Sequence, residues 1–298
     1  MEQRYDAVSG VIRDGFTAAA ESTQVEDSAS TVVRLPPLEG WSEVPNLHQR
    51  AWEDWGSVDP LYAVLTDPKY RGNGGDINEF LASGEEFVSN VVAQCDGLGL
   101  AKSHERALDF GCGVGRLTAP LSARFETMIG LDISQNMVDR ARELHRERSN
   151  CSFELHREAD LRRFPDGYFD LVLSVLVLQH LPSEVAILRY LDEFVRVLRP
   201  KGALVVQLPS LVPPPTALPK ANTRAGIRMR SGLLLRRLGG NPNLLYRRLG
   251  WVPEMTMTAV SEEQTRTTIE NAGAKVVFAT PPDVDAGGTK SRIYFATR

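Results

Sequence analysis

The run Leu108-Asp109-Phe110-Gly111-Cys112-Gly113-Val114-Gly115-Arg116, followed one helix-length later by Ile129-Gly130-Leu131-Asp132-Ile133-Ser134, constrains this chain more than any other stretch. Apolar residues around an acid, then three glycines in five residues, describe a buried strand. It turns sharply into a helix, on a backbone bare enough for a ligand to approach. The second run again ends in an acid. In a right-handed βαβ unit that acid, Asp132, stands at the carboxyl end of the neighbouring strand, where a carboxylate can accept from both hydroxyls of a ribose.

Two ligands fit such a turn. A dinucleotide wants Gly-x-Gly-x-x-Gly, and the third glycine of that pattern falls on Arg116, a long side chain where helix and strand should touch. A dinucleotide also brings a pyrophosphate to the helix amides, and Asp109 beside the turn would repel it. S-adenosylmethionine has no phosphate, and its ammonium and sulfonium are cationic, so an acid there is tolerated. The residues favour the second ligand.

The patterning around the turn predicts a doubly wound, seven-stranded, mostly parallel α/β sheet of Rossmann type. Strands are expected near 106–110, 127–131, 151–156, 169–174, 203–208, 275–280 and 291–297. Ser134 and Ser183 read as helix N-caps. Ser183 opens a helix with Ile187, Leu191, Phe194 and Leu198 inward that should stop at Pro200 and Gly202, and Ser261-Glu262-Glu263-Gln264 reads as a capping box. Three regions follow. Residues 1–40 form a weakly ordered acidic arm with one short helix near 5–20. Residues 41–100 form a helical cap rich in aromatic residues. Residues 101–298 form the ligand-binding domain, with a basic insertion at 209–254. That insertion holds eight bases against one acid, whereas the arm holds seven acids against three bases. Its clusters Leu233–Leu238 and Leu244–Leu249 suit two brief amphipathic helices. They are read as a second lid over a substrate, a face for lipid, or a solvated basic surface partly neutralised by the arm.

Composition is ordinary for a globular protein: 42% of 298 residues are apolar and 24% charged, with a net charge of −4. No apolar run is long enough to span a bilayer, and the first residues carry acids where a signal peptide needs a basic end. A cytoplasmic location is expected. Cys95, Cys112 and Cys151 are scattered, so neither a disulfide framework nor a metal site is expected, and Cys112 reads as a small residue filling a tight turn.

From about Ala107 to Ser210 the chain resembles class I S-adenosylmethionine-dependent methyltransferases, in the small-molecule branch that includes quinone-biosynthesis enzymes. The resemblance implies roles by position. Asp109, Gly111 and Gly113 match the glycine loop, Asp132 the ribose-binding acid and Ile133 the residue packing on adenine. In Glu158-Ala159-Asp160-Leu161, followed by Phe164-Pro165-Asp166-Gly167, Asp160 matches the acid that accepts from the adenine amino group, with Leu161 beside the ring. Leu178-Gln179-His180-Leu181 matches the turn bordering the methyl group, which makes Gln179 a cofactor residue.

Methyl transfer from a sulfonium needs mainly orientation and desolvation. A base is needed only for a poorly acidic acceptor. His180 is the candidate for it, and His48 is a further acceptor-side group. Trp52, Trp55, Tyr62 and Tyr70 are read either as core or as an aromatic lid over the acceptor, and Arg236 and Arg237 as cationic groups attracting it. His104, His145 and His156 are placed on the surface. No Asn-Pro-Pro-Tyr, Pro-Cys or turn acid follows the fourth strand, which disfavours methylation of planar amines, covalent attack on cytosine and a magnesium-dependent catechol reaction. O-methylation of a small molecule, saccharide or lipid is favoured, the acceptor being anionic or lipid-linked and peripheral membrane contact being allowed. Two alternatives stay open: an RNA methyltransferase using the basic insertion, and a non-catalytic regulatory protein that only binds the cofactor.

Overall fold

A computed structural model describes residues 45–72, 74–214, 223–285 and 287–298. The acidic arm, its expected helix and Trp41 lie outside the described residues. The helices are α1 (Pro45–Val58), α2 (Pro60–Leu65), α3 (Ile77–Gly97), α4 (Thr118–Leu121), α5 (Gln135–Leu144), α6 (Glu184–Val197), α7 (Arg224–Arg237), α8 (Pro242–Leu249) and α9 (Glu262–Asn271). The strands are β1 (Arg106–Phe110), β2 (Thr127–Asp132), β3 (Cys151–Leu155), β4 (Phe169–Ser174), β5 (Leu198–Leu211), β6 (Lys275–Ala279), β7 (Asp283–Val284) and β8 (Lys290–Thr297).

The sheet runs β3-β2-β1-β4-β5-β8-β6, with the two-residue β7 paired to β8. Pairs among β1 to β5 are parallel, and β8 is antiparallel to β5, β6 and β7. Period-two alternation divides its sides. Leu108, Val172, Leu204 and Val206 face one core with Ile187, Leu191, Phe194 and Ile269 of α6 and α9. Ala107, Leu171, Leu173 and Val205 face the other with Phe87, Val91 and Leu121 of α3 and α4. Both faces are covered, so the functional surface is left at the carboxyl ends of the parallel strands.

Local chemistry sets the element ends. Ser134 accepts from Met137 N at 3.3 Å and Ser183 from Ala186 N at 3.2 Å, while Ser261 and Gln264 form the reciprocal capping box. Helix α6 ends at Val197, before the expected stop, because Arg199 precedes a proline and is pushed out of the helical region; β5 therefore starts at once. Pro120 sits in the first turn of α4, where its missing N–H costs little.

Strand β5 also continues past Pro209 through a register shift, so the insertion leaves the sheet later than expected. The insertion holds two helices, of which α8 is the brief amphipathic one expected, whereas α7 begins nine residues before the expected cluster and exposes Leu233, Leu234 and Leu235 on successive sides. Among the described residues no helix is long and apolar enough to cross a membrane.

Candidate functional site

A cleft of about 1150 Å³, counting space continuous with solvent, opens above β1, β2 and β4. The turn after β1 forms its floor. Gly111 has φ +79°, and a Cβ there would collide with the Val177 methyls, so glycine lets the turns after β1 and β4 pack together. Gly113 donates its N–H to Asp132 Oδ2 at 2.8 Å, and Ser134 N–H donates to Oδ1 at 2.9 Å. Asp132 thus ties the glycine turn to the start of α5, and each oxygen retains a lone pair for another donor.

On the α3/α4 side of the sheet, Asp109 accepts from Thr118 Oγ1 at 2.6 Å. Burial raises both Asp132 and Asp109 to about 6. Cys112 is buried against Gly130, and burial pushes its thiol well above the ordinary value, so it is a packing residue.

Arg116, read as a misfit to one pattern, is a buried cation of this cleft, which Arg157 also lines. It is 5% exposed and lines the wall. Its Nη1 lies 3.4 Å from Ser83 Oγ and its guanidinium 6.0 Å from the Phe87 ring centroid, while Nε has no hydrogen-bond partner. Burial lowers it to about 10, with Asp109 opposing, so it stays charged at neutral pH. A buried guanidinium with an orphaned donor is costly unless an anion completes it.

Other parts of the lining are uncharged. Leu176, after β4, holds φ +63° with its N–H donated to Gln207 Oε1 at 3.2 Å; this left-handed non-glycine residue sits on the cleft wall. The next turn carries His180, whose Nδ1 is 2.9 Å from Thr256 O. A carbonyl only accepts, so Nδ1 carries the proton and Nε2 the lone pair. That lone pair faces Gln179 Nε2 at 3.3 Å. The Trp52 ring meets His180 edge-on at 5.0 Å, and His48 lies 6.4 Å from Trp52. Burial lowers both His48 and His180 to about 4, so both are neutral near pH 7.

Asp109, Gly111, Gly113, Asp132, Ile133, Trp52, His48 and His180 therefore share one cleft, and several other expected residues stand elsewhere. Asp160 pairs with Arg162 at 3.2 Å on a separate surface depression, and Leu161 is fully buried in the core with its N–H on Glu193. The reason is the path after β3. His156 N–H continues the β2 pairing by donating to Asp132 O at 2.8 Å, Glu158 O accepts from Tyr190 at 2.7 Å, and by Asp160 the chain has left the cleft. His156, Arg157 and Glu158 line the cleft here, so the lining acid is Glu158, two positions before the one expected.

Gln179 faces His180 and Thr258 instead of the cleft. Trp55 and Tyr70 are buried with Phe80 and Met137 under the cap, and Tyr62 packs partly buried against them, so of the aromatic group Trp52 alone reaches the cleft. Arg236 forms a two-pronged pair with Asp54 of α1, at 2.7 and 2.8 Å, and exposed Arg237 is outside the lining. His145 is buried beneath the glycine turn with Nε2 3.1 Å from Val114 O, and His156 is buried too, correcting their surface placement; His104 is half-buried. Arg116 was discoverable from the sequence as the long residue that breaks the glycine pattern. Glu158 was hidden by a second acid nearby.

The family described as "Methyltransferase domain" matches residues 108–206. The chain is 32% identical over 160 residues to 2-methyl-6-phytyl-1,4-hydroquinone methyltransferase of Synechocystis, covering 52% of this chain and 49% of that protein. It is 31% identical over 207 residues to the chloroplastic tocopherol O-methyltransferase of Arabidopsis thaliana, covering 65% and 53%. The chain spans about half the length of these curated relatives. Among solved structures, magnesium protoporphyrin IX methyltransferase of Synechocystis, with bound S-adenosylmethionine, aligns at TM-score 0.52 and 19% identity, covering 84% of this chain and 97% of that one. This last likeness concerns the fold.

Proposed function

Because this chain belongs to the class I S-adenosylmethionine-dependent methyltransferases, we propose that it methylates an acidic hydroxyl, such as a phenol, on an apolar small molecule or lipid. The observation that carries this reading is the mixed lining of one cleft, which combines charged and glycine-rich binding groups with His48, Trp52, Leu176 and His180.

The residues fit the cofactor. Asp132 has lone pairs free for ribose hydroxyls, Arg116 offers a buried guanidinium with an orphaned Nε to a carboxylate, and Glu158 offers a cleft-lining carboxylate to an adenine amino group. When bound, the cofactor supplies a methyl group on a sulfonium, which is already an activated leaving group, so the reading requires no metal. The protein orients the acceptor and excludes water. Neutral His180, held by Thr256 O, presents a lone pair of low basicity. That lone pair already faces Gln179 Nε2, and a group of such low basicity is a poor base for an aliphatic alcohol, which leaves a hydroxyl that ionises easily as the favoured acceptor. A hydroquinone methyltransferase and a tocopherol O-methyltransferase among the relatives support an apolar aromatic acceptor.

The test is S-adenosylhomocysteine release against a panel of phenols, aliphatic alcohols, carboxylates, amines and single-stranded RNA, with product masses measured. Phenols gaining one methylene is the expected result. Turnover of RNA alone, or tight cofactor binding with no turnover of any class, overturns the reading in favour of an RNA enzyme or a regulatory protein respectively.

A further inference from the structure

Helices α7 and α8 leave a face that the cleft does not use. Ile227, Leu234 and Leu238 are 54%, 58% and 76% exposed, and spacings of seven and four residues put them on one side of α7. The opposite side carries the buried Gly226 and Gly232, and Gly232 lies against Trp251. By the same helical spacing, Arg230 and Arg237 border the apolar stripe on one edge and Arg224 and Arg228 on the other. Helix α8 repeats the arrangement in small. Leu244, 58% exposed, has Arg247 and Arg248 three and four residues on, whereas Leu245 faces inward. No acidic residue occurs from Thr223 to Gly250.

We propose that this face docks on the surface of an anionic lipid bilayer. Exposed leucines framed by arginines of one sign are poorly solvated together in water. An anionic bilayer takes the leucines below its headgroups and the guanidinium groups among its phosphates. A nucleic acid would satisfy the arginines but leave the leucines in water. The face is firmly mounted: Arg236 pairs with Asp54, Asn243 Nδ2 donates to Ser57 Oγ at 2.7 Å and Tyr246 donates to Asp59 at 2.6 Å. All three hold it to α1 and its C-terminal end, and α1 also gives His48 and Trp52 to the cleft. The surface is thus coupled to the cleft wall, although docking itself does not depend on the proposed methyl transfer.

The test uses the full chain without acceptor, sedimented with vesicles of phosphatidylcholine alone or mixed with phosphatidylglycerol. Binding to the mixed vesicles only is expected. Leu234→Ser with Leu238→Ser, and separately Arg230→Gln with Arg237→Gln, should each weaken it by about tenfold or more. These side chains are exposed, and circular dichroism checks that both variants are folded. The proposal is overturned if the wild type ignores mixed vesicles, or if the leucine variant binds them as well as wild type does. Tighter binding to single-stranded RNA than to the vesicles, read by fluorescence anisotropy, also overturns it.

Discussion

At the scale of single residues, Asp132 braces the glycine turn with one carboxylate and keeps lone pairs that the proposed function assigns to a ribose. Asp132→Ala should lower S-adenosylmethionine affinity by at least about a hundredfold, since two charge-assisted hydrogen bonds at roughly 1.5–3 kcal/mol each are at stake. Calorimetry checks this, and a change within about threefold sinks the ribose assignment. Arg116 makes a sharper test because its expected partner is only one part of the ligand. Arg116→Met should weaken S-adenosylhomocysteine by about tenfold or more, a lost bond to a charged group, while leaving methylthioadenosine, which lacks the amino-acid carboxylate, unchanged. Equal losses for both ligands would mean that Arg116 only supports the wall. Because Glu158 lines the cleft and Asp160 does not, Glu158→Ala should reduce cofactor affinity more than Asp160→Ala, and the reverse order would restore the sequence reading.

At the scale of elements, the insertion is held to the cap by few but specific bonds. The Arg236–Asp54 pair spans 182 positions and joins α7 to α1, with Asp54 nearly buried. Arg236→Ala leaves that carboxylate without its counter-ion. With Arg236 itself partly exposed, the loss should be about 1–2 kcal/mol, below the range for fully buried pairs. Chemical denaturation would read it as a lower midpoint, and an unchanged midpoint would show that the helices are held by other contacts. The tryptophan-rich cap teaches the related lesson that spacing does not say what an aromatic residue faces. Trp52 and Trp55 are three apart on α1, yet one reaches the cleft while the other closes a core with Tyr70 and Phe80, because α2 and α3 cover that side.

For the whole molecule, burial sets a pH response with two opposing parts. Asp109 and Asp132 are raised to about 6, so as pH falls below that value the folded state gains protons before the unfolded chain does, and stability rises. His48 and His180 are lowered to about 4, so over the same acid range the unfolded chain takes protons first, and stability falls. The two pairs offset one another in the ligand-free protein. Cofactor binding has no such compensation under the proposed function, in which Asp132 holds the ribose as a carboxylate. Affinity should be flat above neutrality and fall as pH drops through about 6, by up to about tenfold per unit. Calorimetry from pH 5 to 8 checks this, and a decline centred well away from 6 would show that another group controls binding.

The strand and helix succession, the glycine turn and the place of Asp132 beside it were legible in the sequence, because each depends on neighbours within a few residues: alternation along a strand, a serine before a helix, glycines at positive φ. The antiparallel last strand was legible in principle too, since the short link between β6 and β8 leaves no room for the crossover helix that parallel pairing needs. Its insertion between β5 and β6 was decided by tertiary structure. So was the emptying of the expected acceptor group, as Trp55, Tyr62, Tyr70 and Arg236 turned to cap and core contacts. Tertiary structure likewise put Glu158 instead of Asp160 in the cleft lining and brought Arg116 to the cleft. These outcomes depend on where chain segments far apart in sequence come to rest, and the residue pattern constrains them only through the packing that the finished fold provides.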